Sequence, residues 1–247
     1  MKEDICKYCG QRTQLIKSHI IPKSFYNLKE WERFVGINAK DFSFDKSSYQ
    51  NGCKEYLLCH KCDEQLGKLD GYAKEFLFKT IPNCPSRTSD TLIKSFIAQK
   101  DSYNYSKLHR FFISLVWRIS VSSFFPYHLP GNYESLALKI LKYEAPEAEN
   151  LFFPLIYRKN LNHPVDHCVL VTENSGYNQK SVCIKIPSYE IIILPNVDEV
   201  QPLSLAKEFK RLFTRKEIAV LEITAPTTLD RILVDKMQGF QKKHKFK

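Results

Sequence analysis

The chain has 247 residues, with 37 Lys and Arg against 27 Asp and Glu, for a formal net charge of +10. Hydrophobic residues make up 43% and charged residues 26%, which excludes a disordered or fibrous chain and leaves one large or two small globular domains. The positive balance favours a polyanionic partner, nucleic acid before an anionic membrane. With 8 Gly and no G-x-x-x-x-G-K-[ST] or G-x-G-x-x-G, the composition also excludes a Gly-rich phosphate loop.

The N-terminus carries no apolar leader, and the most apolar stretch, residues 111–125, is broken by Arg118 and flanked by Arg110. That stretch is too short and too charged to cross a bilayer. A cytoplasmic protein without a membrane partner is therefore expected. In a reducing compartment, eight Cys do not make a disulfide framework.

The first motif in chain order is Cys6-Lys7-Tyr8-Cys9, with Gly10 following where a tight turn needs positive φ. Its counterpart is Cys59-His60-Lys61-Cys62. Two residues between ligands let both thiolates reach one ion, and two such knuckles complete a tetrahedral site of four sulfurs. The pattern predicts a structural Zn²⁺ on Cys6, Cys9, Cys59 and Cys62. Such a site has no open coordination position, so it staples a small domain and does not activate water. Cys53, Cys84, Cys168 and Cys183 have no partner pattern, and Cys53 is the nearest rival ligand.

Residues 15–23 form a short apolar run holding His19 and ending at Pro22, which reads as a strand or hairpin arm. A lone His in such a run is more often a hydrogen-bonded structural residue than a catalyst. Lys17 and Lys23 flank it, and phosphate contacts there are reasonable. Residues 24–53 interleave Phe25, Tyr26, Trp31, Phe34, Phe42, Phe44 and Tyr49 with Lys and Arg. They read as an insertion with its own small core, ahead of the alternative of a nucleic-acid surface. After the second knuckle, Leu66, Leu69, Ala73, Phe76 and Leu77 recur at helical spacing. The spacing predicts an amphipathic helix over 63–78 that starts at the knuckle, with Asp63 and Glu64 suiting its dipole.

The order C-x-x-C, His19-Ile20-Ile21-Pro22, then Leu57-Leu58-Cys59-x-x-Cys62 leading into a helix resembles the HNH endonucleases, the ββα-metal or His-Me finger nucleases in their zinc-stapled form. The resemblance covers roughly residues 5–80. It implies DNA phosphodiester hydrolysis on a double-stranded partner, with His19 as general base and a catalytic Mg²⁺ or Mn²⁺ on the phosphate. It places Asp63 at a metal-ligand position where His is commonest, with Asp70 two turns on along the same face. Asn51 is the candidate for the family's central Asn that orients the base, and Glu55 is another polar partner. Ser18 stands where a metal-ligating Asp, Glu or His is usual. That departure supports the alternative of a zinc module without activity, binding nucleic acid or a protein. Small HNH proteins of this kind also act in bacterial antiphage defence, with a partner ATPase or other defence protein.

Around residues 80–90, two Pro and small polar residues mark a linker, so the expected division is 1–82 and 83–247. Residues 107–124 form a helical pattern that is apolar over much of its circumference, the core helix of the second domain. A buried ion pair or a solvated edge is the favoured reading for its Arg110 and Arg118. A second helix is expected over 133–143. Strands are expected over 167–172, 182–186 and 190–194, with Asn174-Ser175-Gly176 as a hairpin loop. Two further helices are expected over 204–213 and 230–240. His163 and His167 flank Pro164 and read as loop residues. The tail 236–247 holds five Lys and no acid, half of the net charge, and reads equally as a solvated end or a DNA-gripping arm. The fold class is α+β: a small zinc-stapled ββα-metal module followed by a mixed helix and antiparallel-sheet domain. Residues 1–90 carry fifteen basic against twelve acidic residues, so nucleic acid as partner rests on His19 between the knuckles more than on net charge.

Overall fold

Gly10 takes a left-handed backbone, φ +77°, and lets the chain reverse between strand β1 (Lys2–Ile5) and strand β2 (Arg12–His19). The two strands pair antiparallel, Ile5 opposite Arg12. Two-residue strands β3 (Gly36–Ile37) and β4 (Phe44–Asp45) pair only with each other. Strand β5 (Lys54–Cys59) then returns antiparallel to β2, giving a three-stranded sheet of order β1-β2-β5. Helix α1 (His60–Glu75) starts with no loop, because extended Cys59 is both the last strand residue and the helix N-cap. Cys62, Leu66, Leu69 and Ala73 form its buried face. The expected start at the second knuckle is thus observed, and a π-turn (Phe76–Thr80) and a 3-10 turn (Ile81–Asn83) close the helix.

This computed structural model describes residues 2–26, 36–37, 44–45, 52–83, 86–88, 94–97, 103–143, 151–159, 169–174, 180–200, 207, 210–212, 215–216 and 218–223. Asn51, Cys84, Cys168, His163, His167, the 175–176 part of the expected turn, the helix over 230–240 and the tail 236–247 lie outside them. Of the helix expected over 204–213, residues 207 and 210–212 are described and are helical.

Short strands β6 (Ser86–Thr88) and β7 (Lys94–Ile97) precede helix α2 (Tyr105–Val121). Asn104 caps α2 by accepting the Lys107 N–H at 2.9 Å. Every residue from Leu108 to Ser120 is buried, because α1, helix α3 (Tyr133–Leu141) and strand β8 (Leu151–Lys159) all pack on α2. The sheet is completed by β9 (Leu170–Asn174), β10 (Ser181–Ile186), β11 (Tyr189–Asn196) and β12 (Ala219–Ile223). Its seven strands run β6-β7-β12-β8-β11-β10-β9 and pair antiparallel, except for parallel β12 and β8.

Strands β10 and β11 are covered on both faces. Ile191 and Ile193 join the main core, while Ile192 and Leu194 join a second cluster with Cys183, Val197 and Val200. The period of two survives in the packing although nearly all of β11 is apolar. Ring contacts tie the N-terminal elements into the same core: Tyr8 with Trp117, Phe25 with Phe111, and Phe78 with Tyr189. Residues on both sides of position 82 therefore share one hydrophobic cluster.

The entry to β5 depends on a glycine. Gly52 has φ +73°, and a Cβ there would meet the Tyr26 ring at 2.7 Å. The Tyr26 hydroxyl in turn accepts the Cys53 N–H at 3.1 Å. Gly52→Ala combines a left-handed backbone with a clash against a buried ring, and should lower stability by about 1–3 kcal/mol. Urea unfolding of the zinc-loaded chain measures it, and an unchanged midpoint would refute the close approach.

Candidate metal centre

The β1–β2 turn and the β5–α1 joint bring four sulfurs together. Lys7 N–H donates to the Leu57 carbonyl at 2.9 Å, which lays the turn against β5. The Sγ atoms of Cys6, Cys9, Cys59 and Cys62 all lie within 4.8 Å of one another. Tetrahedral Zn–S bonds of about 2.3 Å place sulfurs roughly 3.8 Å apart, so a small contraction closes the site. The donor set is soft and complete, and it can hold a structural metal such as zinc. The expected cysteine grouping is what the fold assembles. Cys53, the rival, stands apart: burial pushes its thiol up to about 11, and it lies beside Tyr26.

The sulfurs differ in their surroundings. Burial alone would raise the Cys6 thiol, but N–H groups of Cys9, Cys59 and Tyr8 point at its sulfur and lower it to about 7. The Cys59 N–H bond to Cys6 Sγ is 3.4 Å. Burial and neighbouring sulfur push Cys62 up, and burial raises Cys9. Four crowded thiolates without a cation would repel one another, so ion uptake and thiol deprotonation are coupled. Metal affinity therefore rises with pH, because protons must leave. Purified chain should carry about one zinc per molecule. Cys9→Ala should lose it, and a chelator should unfold the β1–β2–β5 module. Elemental analysis with circular dichroism checks this, and a folded zinc-free chain would refute it.

His19 is the last residue of β2, half-buried, directly opposite Lys54 of β5. Ser18 beside it is buried, at 1% exposure, and its Oγ has no hydrogen-bond partner among the described residues. Glu55, opposite Ser18, is engaged elsewhere. Its carboxylate accepts from Ser122 Oγ at 2.7 Å and from Ser123 Oγ at 2.8 Å, just past the end of α2.

The two aspartates of α1 do not meet. Seven residues of helix separate Asp63 from Asp70 by about 10.5 Å of rise. Asp63 stays in the first turn, at the cysteine end. Asp70 has its carboxylate taken by Arg118. Arg118 Nη2 donates to Asp70 Oδ1 at 2.6 Å and Nη1 donates to Oδ2 at 3.0 Å. The pair is nearly dry, with 3% and 15% of the two side chains exposed. Among the described residues, the cysteine cluster is the group of His, Cys, Asp or Glu close enough to share an ion. His19, Asp63 and Asp70 are not part of that group.

Arg118 is the residue whose partner the sequence did not disclose. The available signal was an Arg in the last turn of a largely apolar helix, which needs buried acceptors. Arg110 solves the same problem differently, donating to the Leu141 carbonyl at 2.6 Å and lying over the Tyr143 ring.

No protein-family model, curated protein or solved structure matches the chain.

Asp70→Asn leaves the buried guanidinium without a counter-charge and should destabilise the chain by about 3–5 kcal/mol. A urea midpoint within error of wild type would show the pair to be energetically idle.

Proposed function

We propose that the chain is an HNH-type endonuclease that hydrolyses DNA phosphodiester bonds, with His19 as general base on a scaffold stapled by structural zinc. The observation that carries this reading is the placement of His19. It ends the middle strand of a β-β-α unit whose last strand runs through Cys59 straight into α1. Cross-strand and i, i+2 neighbours share a face, so Lys17, His19, Lys54 and Tyr56 present one surface. Lys17 Nζ lies 5.6 Å from the Tyr56 ring centroid. Among the described residues, neither Lys17 nor Lys54 has an ion pair, and the acid between them on β5, Glu55, is bonded to the serines after α2.

In this reading neutral imidazole takes a proton from water as its oxygen bonds to phosphorus and the phosphorus–oxygen bond to the leaving sugar breaks; the leaving oxygen takes a proton from solvent, and the imidazolium then releases its own to solvent. Lys17 and Lys54 hold the backbone and offset charge that develops on the phosphate oxygens. A divalent cation such as Mg²⁺ or Mn²⁺, with Asp63 as its candidate ligand, would add to the stabilisation of that charge.

A second reading has its own observation. Ser18, where an ion ligand is usual, is buried and not a carboxylate, and the Asp70 carboxylate is paired with Arg118. A zinc module that binds nucleic acid or a protein without cutting fits those two facts.

Plasmid and oligonucleotide cleavage, with and without added Mg²⁺ or Mn²⁺, separates the readings. His19→Ala should lower cleavage by about 10²–10⁴-fold. Cleavage that survives the substitution would move the base elsewhere. Binding without cleavage in any metal selects the second reading. In either case, removing Lys17 or Lys54 should reduce the salt dependence of binding by about one released counterion each.

A further inference from the structure

The guanidinium of Arg118 does more than neutralise Asp70. Its Nη1 also donates to the backbone carbonyl of His19 at 3.2 Å, and its Nε to the Ser114 carbonyl at 3.3 Å. One planar fork therefore joins α2, α1 and the end of β2. The N–H of the same His19–Ile20 peptide donates to the Cys53 carbonyl at 3.0 Å. Both polar atoms of that peptide are held, one by a charge-assisted bond and one by the neighbouring chain. With the plane fixed from both sides, ψ of His19 is fixed, and with it the direction in which its Cα–Cβ bond leaves the strand.

We propose that Arg118 and Asp70 are positioning residues for His19, acting through this clamped peptide, so that helix α2 contributes to the site although it lies beyond the cysteine module in sequence. The proposal rests on the reading of His19 as the general base. Asp70 orients the fork, and the fork holds the carbonyl. Arg is required because it reaches a bidentate carboxylate and a third acceptor at once, whereas a Lys ammonium is a single point charge on a flexible stem. Without the charge-assisted bond the His19 carbonyl is held less firmly, and a displacement of about 1 Å at a reacting group costs up to roughly 100-fold in rate.

The test uses the full zinc-loaded chain and separates positioning from stability. The double variant Arg118→Met/Asp70→Leu replaces a buried ion pair with apolar side chains, an exchange that commonly preserves or raises stability. Three quantities are read: kcat and KM for oligonucleotide cleavage, the ring resonances of His19, and hydrogen exchange at the Ile20 amide. The double variant should unfold at or above the wild-type urea midpoint, yet lose roughly 10- to 100-fold in kcat with KM changed by less than about twofold. Its His19 ring resonances should move, and Ile20 should exchange faster. Arg118→Lys, which keeps the charge, should restore less than half of the loss. A stable double variant with wild-type kcat and unmoved His19 resonances would overturn the proposal. If the double variant does not fold, Arg118→Lys alone decides by the same three measurements. If the wild-type chain cuts no nucleic acid, the nuclease reading falls, and the resonances and the exchange still decide the positioning role.

Discussion

A three-stranded sheet and one helix enclose little apolar volume, so the grouping of four sulfurs at the β1–β2 turn and the β5–α1 joint is the constraint on which the N-terminal elements depend. Cys59 occupies three roles at once. It ends β5, caps α1 and supplies a sulfur, so the strand and helix cannot change their mutual direction without moving the cluster. Cys6 sets the other half, with backbone N–H groups aimed at its sulfur that favour the thiolate before any ion arrives. The geometry of the turn, including the left-handed Gly10, is therefore a consequence of the sulfur chemistry as much as of strand pairing.

The opposite end of the β2–β5 pair needs a different fastener. Leu15 stands opposite Cys59 and His19 opposite Lys54, so about 13 Å of strand separates the sulfur end from His19. A cysteine cluster cannot fix a backbone that far away. The Arg118–Asp70 pair holds it instead, and its cost explains its position. A buried guanidinium needs acceptors around it, and here the carboxylate, the His19 carbonyl and the Ser114 carbonyl engage all three of its nitrogens. The same requirement makes the N-terminal module and α2 a single packed body. That agrees with the ring contacts of Tyr8, Phe25 and Phe78 across it.

What could be read in the sequence was local. The cysteine spacing, the helix leaving the second knuckle and the pattern of α2, apolar over much of its circumference, each depend on neighbours within a few residues, and each is observed. Strand β8 was not legible, because Pro154 sits in its middle and argues against a paired strand. The fold accommodates it because β12 pairs with β8 only from Ile156 onward, which leaves that edge of Pro154 without a ladder partner to satisfy. The parallel pairing of β12 with β8 was equally hidden, since it is set by a crossover and not by any local pattern. Asp63 and Asp70 show the same limit. Their shared helix face was readable, but the Arg that takes one of them lies 48 residues away.

The net charge of the chain is a poor guide to the field at His19, and the commitments of individual acids are a better one. Residues 1–90 carry an excess of only three positive charges. Near β2 and β5, however, Asp4 is paired with Lys2 and Asp70 with Arg118, and Glu55 is turned to the serines after α2. Lys17 and Lys54 are left beside His19 on a surface that also carries Tyr56. The local charge therefore depends on which carboxylates are occupied. It also links the two parts of the site. The ion pair that holds the His19 carbonyl is also the one that neutralises Asp70, so a single buried contact both holds the His19 peptide and removes a free carboxylate from helix α1.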